Sequence, residues 1–550
     1  MLRRRTFRRC CRLHRFLSSP PPELLTLHFP AGNGGRKPGT QQKVGHMNSA
    51  QIQQILKVRH KDDFMFHCGS FVLCCQANEY SHILPRGPAS HGVLSFHSNM
   101  LSSNHPGEDY RSSATFLSDG GGVLFGVFDG HGGPACAQAV SQRLFYYITV
   151  ATLPLKTLVE LERAVEEERA VPPLLEWLKH CRDHRCPDGG ATSFHSLRTY
   201  WQERLDEDPD DAEEVSATQS GPPHPNSYRG AFYEWLQDVS RLSSALVSAF
   251  RRLDYDLSVE AQVHMSMSSH RRPSLSGDTS LSCPLRVALS GCTACVAHVS
   301  KGVLHVANLG DSRAVLGVQE SDGRWSAVSL TNDHNAQNPD EVQRILREHP
   351  WSERRTVVRH ERLLGLLLPF RAFGDIRFKW SAETLSRLYE TRPDVLSVVG
   401  EGARTPPAHY LTPPYLSAEP EVTQHHIAPS DKFVVLASDG LWELMHRQTV
   451  VQLVGQHLKG LQQQRPITPT AGMTLADLQR LLLERKGRVQ SVLEDQNAAT
   501  HLLRHALGDD GYGAVASNRL IKMLSLPADL ARRYRDDITI TVIHLNEPDI

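Results

Sequence analysis

VLFGVFDGHGG, residues 123–133, decides how the rest of the chain is read. Uncharged, mostly apolar residues run up to Asp129. Gly130, His131 and two more glycines follow before a helical pattern begins. The apolar run predicts a buried strand over 122–128. Val140, Leu144 and Ile148, four residues apart, predict a helix over 135–149. A carboxylate closing a buried strand is costly unless something pairs with it.

The pattern recurs. Asp311 follows the strand-like run in VLHVANLGDSRAVLG (303–317), and Asp439 follows that in FVVLASDGLWE (433–443). Asp536 and Asp537 precede another in RRYRDDITITVIHL (532–545). Each alone reads as a turn residue or a helix cap. Together they imply strands that converge and share cations. Hard oxygen donors without an accompanying Cys or His cluster select Mg²⁺ or Mn²⁺. Gly130, lacking Cβ, lets a backbone carbonyl approach an ion. His131 suits proton donation to a leaving group, because imidazole titrates near neutral pH.

Lys+Arg and Asp+Glu each total 60 in 550 residues, a balance that speaks against a nucleic-acid or polybasic membrane partner. No apolar run reaches the ~18 residues of a membrane span. The 11 cysteines are too dispersed for a disulfide scaffold and suit a reducing compartment. Cys292 and Cys295 form a CxxC, but inside a strand-like run, where small core residues are the better reading. Cys181, His184 and Cys186 approach metal spacing yet lack a second ligand pair. Seven arginines lie between Arg3 and Arg15, with no acid before Glu23. That composition reads as a mitochondrial import presequence; a basic tail or a nuclear signal is the other reading.

Residues 20–50, rich in Pro, Gly and Gln, read as disordered, and 1–70 as presequence and leader. One domain is expected over 77–547. Further helices are predicted at 156–180 (broken by Pro172 and Pro173), 239–258, 340–348, 449–458, 474–485 and 495–506, and an acidic loop at 205–227. Strands are predicted at 292–300, 303–309, 313–318, 325–330, 433–438 and 538–545. Strands following one another across short turns, with helical hairpins between, make the class α+β.

In order along the chain stand GEDYRSS (107–113), FGVFDGHGG, SGCTACVAHV (290–299), VANLGDSRAVLG, LTNDHNAQNPDE (330–341), PFRAFGD (369–375), LASDGLWE and YRDDITITV. This series resembles the protein phosphatase 2C family of metal-dependent serine/threonine phosphatases. QAVSQRLFYYI (138–148), FRAFGDIRFKW (370–380), YLTPPYLSAEPEV (410–422) and EDQNAATHLLRHA (494–506) are similar to that family's mitochondrial pyruvate dehydrogenase phosphatases.

The resemblance implies a β-sandwich of two antiparallel sheets flanked by helices on both faces, with a metal cleft at one end and insertions near 156–240, 376–420 and 455–530. It implies that Asp129 bridges two ions, that the Gly130 carbonyl contacts one, and that Asp439 and Asp536, rather than Asp537, bind the other. Glu108 and Asp109 would hold waters of the ions, and Asp311 with Glu443 a third, weaker ion. Asp375 belongs near the cleft without a defined role. Where many relatives carry a phosphate-binding arginine, this chain has Asn104, and Arg111 is the nearby candidate to replace it. The implied reaction is direct attack of a dimetal-bound hydroxide, with His131 protonating the departing serine oxygen. The implied substrate is the phosphorylated α subunit of the pyruvate dehydrogenase component, in the mitochondrial matrix. Implied partners are the lipoyl domain of the dihydrolipoyl acetyltransferase core, with Ca²⁺ assistance in one isoform, and a regulatory subunit. The chain has no EF-hand pattern, so a Ca²⁺ effect would need a shared interface site. Alternatives are another phosphoprotein substrate or a non-catalytic scaffold; intact Asp129, Asp439 and Asp536 argue against the latter.

Overall fold

A computed structural model describes residues 77–84, 92–117, 121–179, 189–206, 227–268, 283–392, 406–464, 495–509 and 515–545, together with Cys75 and Val395. The leader, the helix expected at 474–485, most of the acidic loop and the Cys181–His184–Cys186 group lie outside them.

Fifteen strands carry the described fold. They are β1 (Tyr80–Ile83), β2 (Val93–Leu101), β3 (Tyr110–Phe116), β4 (Val123–His131), β5 (Leu175–Lys179), β6 (Gly291–Ser300), β7 (Val303–Leu309) and β8 (Arg313–Gln319). Then come β9 (Trp325–Ser329), β10 (Val358–Arg359), β11 (Arg362–Leu363), β12 (Phe373–Gly374), β13 (Glu421–His426), β14 (Asp431–Ala437) and β15 (Ile538–Leu545). One sheet runs β1-β2-β15-β14-β8-β9; the other runs β13-β7-β6-β4-β3-β5, with β12 against β6. The strand pairs in both are antiparallel.

Strand periodicity builds the layers. In β4, Val123, Phe125 and Val127 join a core with Phe96 of β2, Val434 and Leu436 of β14 and Ile543 of β15. Leu124 and Phe128 face the other way, onto the helix Ala135–Thr152. On the opposite sheet, Phe433, Val435, Ile540 and Val542 pack under the helices Arg447–Gln464 and Ala498–Gly508. The result is a sandwich with helices on both outer faces, as expected. The CxxC splits across β6: Cys292 packs toward the helices and Cys295 into the sandwich, so the two thiols are core residues on opposite faces. Among the described residues no single helix is long and apolar enough to cross a membrane.

The helical reading of 156–180 needs correction. The helix ends at Glu166, and Leu175–Lys179 is a strand on the edge of β3. The helix closes before the prolines: Glu168 has a left-handed φ of 56° and the Arg169 N–H donates back to the Ala164 carbonyl at 2.9 Å, while pairing with β3 overrides local pattern farther on. The helix predicted over 239–258 extends to Ser227–Ser268.

Candidate active site

Asp129 is the seventh residue of β4 and keeps the parity of Phe125 and Val127, so the alternation that builds the core carries it to the sandwich's inner end. Gly130 fits there without a side chain: a Cβ would lie 2.5 Å from the Glu108 carbonyl oxygen. Asp439 opens the short helix Asp439–Trp442 just after β14, and Asp536 stands two residues before β15. Gly440 permits this approach, since a Cβ would come 2.0 Å from the Asp537 carbonyl oxygen. Asp311 lies in the turn between β7 and β8. With Asp439, Glu443, Asp333 and Arg313 it lines a cleft of about 340 Å³.

Burial first, and then Asp439, Asp109, Asp311 and Asp536, push the Asp129 carboxyl well above the usual range. Burial and then Asp311, Asp536, Glu443 and Asp109 do the same to Asp439. Burial and then Asp537 raise Asp109 to about 7; burial and then Asp333 raise Asp311 to about 6. The predicted acidic residues are therefore neighbours that repel one another. Among the described residues no three His, Cys, Asp or Glu side chains already close on one ion-sized point. The donors nevertheless suit hard divalent cations. Asp109 is buried with Oδ1 lacking any hydrogen-bond partner, and a buried carboxylate oxygen of this kind calls for a cation.

Glu108 Oε1 accepts from the Gly133 N–H at 2.6 Å, ahead of the helix Ala135–Thr152. His131 Nε2 lies 2.5 Å from Asp375 Oδ2. Gly291 makes this possible: it is the cross-strand partner of both His131 and Gly374, and a Cβ there would fall 2.0 Å from the imidazole and 2.1 Å from the carboxylate. Asp375 itself sits in the left-handed region with φ 49°.

Position 104 contributes backbone: the Asn104 N–H donates to Asp537 Oδ1 at 2.8 Å. Arg111 is buried and donates to the Asn78 carbonyl.

The sequence model of the protein phosphatase 2C family matches residues 230–474. The chain is 47% identical over 540 residues to pyruvate dehydrogenase (acetyl-transferring) phosphatase 1, mitochondrial, of Bos taurus, covering 96% of this chain and 89% of that protein. The chain belongs to the protein phosphatase 2C family. Phosphatase 1 of Homo sapiens gives the same 47% over 96% of the chain and 89% of its own length. Phosphatase 2 of Homo sapiens is 42% identical over 512 residues, covering 88% of this chain and 89% of that protein. The family is metal-dependent, and its members are hydrolases of phosphoserine and phosphothreonine.

This protein phosphatase 2C contains supporting residues that sequence reading did not assign. Asp537 holds the loop that carries Glu108 and Asp109. Its Oδ1 accepts from Ser103 and Asn104 N–H groups, and its Oδ2 from those of Glu108 at 2.7 Å and Asp109 at 3.3 Å. Ser438 Oγ donates to Asp109 Oδ2 at 2.8 Å and accepts from Thr539 N–H at 2.9 Å. Arg532 pairs with Asp536 at i,i+4 spacing, a signal present in the sequence once that stretch is known to coil.

Proposed function

We propose that the cleft hydrolyses phosphoserine on the α subunit of the pyruvate dehydrogenase component and thereby reactivates that complex in the mitochondrial matrix. One observation carries the reading: carboxylates from the end of β4, the β7–β8 turn, the helix after β14, the residues before β15 and the 103–109 loop share one repelling, partly buried cluster. Asp129, the Gly130 carbonyl, Asp439 and Asp536 are assigned to two Mg²⁺ or Mn²⁺ ions, Glu108 and Asp109 to their waters, and Asp311 with Glu443 to a weaker third. When bound, such ions supply Lewis acidity toward a phosphoryl group and acidify water.

The chain's own residues do the rest. Asp537 and Ser438 fix the backbone and carboxyl of Asp109 before substrate arrives, so no reorganisation is needed during reaction. His131 donates a proton to the departing serine oxygen, a poor leaving group without it. The lipoyl domain, assisted by Ca²⁺, and a regulatory subunit are assigned as partners, with 156–240 and 376–420 as contact segments. The test is Mg²⁺- or Mn²⁺-dependent phosphate release from phosphorylated pyruvate dehydrogenase, compared with generic phosphopeptides. Turnover no faster on the complex than on the peptides would remove the substrate assignment.

A further inference from the structure

Strands β10 and β11 form a two-residue hairpin beside the cleft, and its composition runs against its geometry. The register puts Arg359 directly opposite Arg362. Like charges facing across an antiparallel pair weaken it. The connecting residues, His360 and Glu361, have φ of 51° and 58°, and Leu364 has φ of 51°. A tight turn with two positive φ values ordinarily takes Asn-Gly or Gly-Gly. Here neither central residue is a glycine. Local strain and an uncompensated charge pair in one short element mark a segment kept for something other than stability.

Its position says what for. Glu361 lines the cleft together with Asp311 and Asp439. Arg359 and Arg362, two residues before it and one after, therefore flank the cleft wall. Both are exposed, as is Arg355 on the approach to the hairpin. Arg362 Nη1 donates to the Leu366 carbonyl at 3.1 Å. Among the described residues no carboxylate pairs with Arg355, Arg359 or Arg362. By contrast, Arg344, a little earlier in the chain, is held by Glu341 and Glu348. A basic rim on an acidic cleft suits a chain that brings a phosphate to the cleft and carboxylates to its edge, because guanidinium groups take carboxylates in a two-pronged, charge-assisted fashion.

We infer that the 358–363 hairpin is a docking surface for acidic side chains flanking the phosphoserine of a phosphoprotein substrate. The inference rests on the phosphatase reading of the cleft and adds to it a preference for sequence context. Rim charges act mainly on encounter and selection, so the effect is salt-sensitive.

The experiment uses the full chain with Mg²⁺ or Mn²⁺ and two phosphoserine peptides alike except for three Asp or three Asn residues next to the phosphoserine. At low salt the wild type is expected to favour the acidic peptide in kcat/KM by about three- to tenfold, the size of one or two exposed ion pairs. The ratio should shrink toward one at about 0.5 M salt. R359Q/R362Q should bring it to one, and R359E/R362E should invert it, with the thermal midpoint of either variant near that of the wild type. An unchanged ratio in both folded variants, or no preference in an active wild type, overturns the docking surface alone. A wild type inert toward both peptides and toward para-nitrophenyl phosphate overturns the phosphatase reading and this inference with it.

Discussion

His131 and Asp375, 244 residues apart, meet with Nε2 and Oδ2 at 2.5 Å across the bare backbone of Gly291. The carboxylate is in turn set by its surroundings. The Asp375 N–H donates to the Ser290 carbonyl at 3.0 Å, and Gly374 N–H donates to Asp254 Oδ1 at 2.9 Å. The imidazole is thus held from a side that the apolar core cannot supply. On the proposed function, with Nε2 engaged, Nδ1 would be the nitrogen that serves the leaving group.

Asp375→Ala is therefore expected to lower kcat on a phosphoserine peptide by about 10–100-fold, less than the ~10²–10⁴-fold usual for a general acid itself, because Asp375 orients the imidazole and does not carry the proton. Loss on para-nitrophenyl phosphate should be far smaller, since its leaving group departs without a proton. Gly291→Ala should act in the same direction, because its Cβ would occupy the contact. Equal losses on both substrates would mean that Asp375 supports the cleft as a whole and not proton donation.

Asp129→Asn should abolish activity while raising the thermal midpoint in chelator. Asp129 is a partly buried carboxylate whose neighbours Asp439, Asp109 and Asp311 all disfavour its charge. Removing one repelling charge should raise the midpoint by about 1 °C for each kcal/mol relieved, since unfolding entropy scales with the size of this large domain. Addition of Mg²⁺ or Mn²⁺ should then stabilise the wild type and leave the variant nearly unmoved. A variant less stable than wild type in chelator would contradict the electrostatic account of the cluster.

Asp537→Ala should cost roughly 3 kcal/mol, since four backbone N–H groups lose a charged acceptor. Activity should fall as well, because Glu108 and Asp109 ride on the released loop. Asp537→Asn keeps one acceptor oxygen and should fall between the two. Denaturant unfolding with an unchanged midpoint in Asp537→Ala would show that the loop is held by other means.

Acid should destabilise the protein through its buried histidines. Burial lowers His97, His457 and His505 to about 4 and His544 to about 3. In the unfolded chain each titrates near 6.5, so between about pH 6.5 and 4 the unfolded state takes up more protons. Their contribution to stability is whole above that window and is lost as pH falls through it. The acidic cluster acts in the opposite sense, because Asp129, Asp439, Asp109 and Asp311, all raised, take up protons in the folded state first. The histidine part is therefore read as a difference: the midpoint of His544→Leu should gain on that of the wild type as pH falls from 7.5 through 6 to 5. A difference constant over that range would dispose of the prediction.

Much of the sandwich was legible because β4, β6, β7, β14 and β15 are buried on both faces and rich in Val, Ile, Leu and Phe, and a mostly apolar run ended by Asp129 or Asp439 is conspicuous. Strand β2 was not. It buries Ser98 and Asn99, and Asn99 Nδ2 is satisfied by Thr500 Oγ1 at 2.8 Å, 401 residues away. A polar residue whose partner lies so far along the chain reads locally as loop. The same distance hid Asp375 as the partner of His131 and made Asp537 look like a spare ligand beside Asp536. Residue type announces an acid; only the folded path tells whether it holds an ion, a ring or a stretch of backbone.

Strand β15 occupies an interior place in its sheet, between β2 and β14, and the residues just before it clasp a loop more than 400 positions earlier. A growing or shortened polypeptide lacking 536–545 would have neither the clasp nor the central rung between its neighbours. On the proposed function, removal of phosphate would require this late segment in place, and contacts so widely separated along the chain form slowly. Completing the sheet and completing the cleft would then coincide.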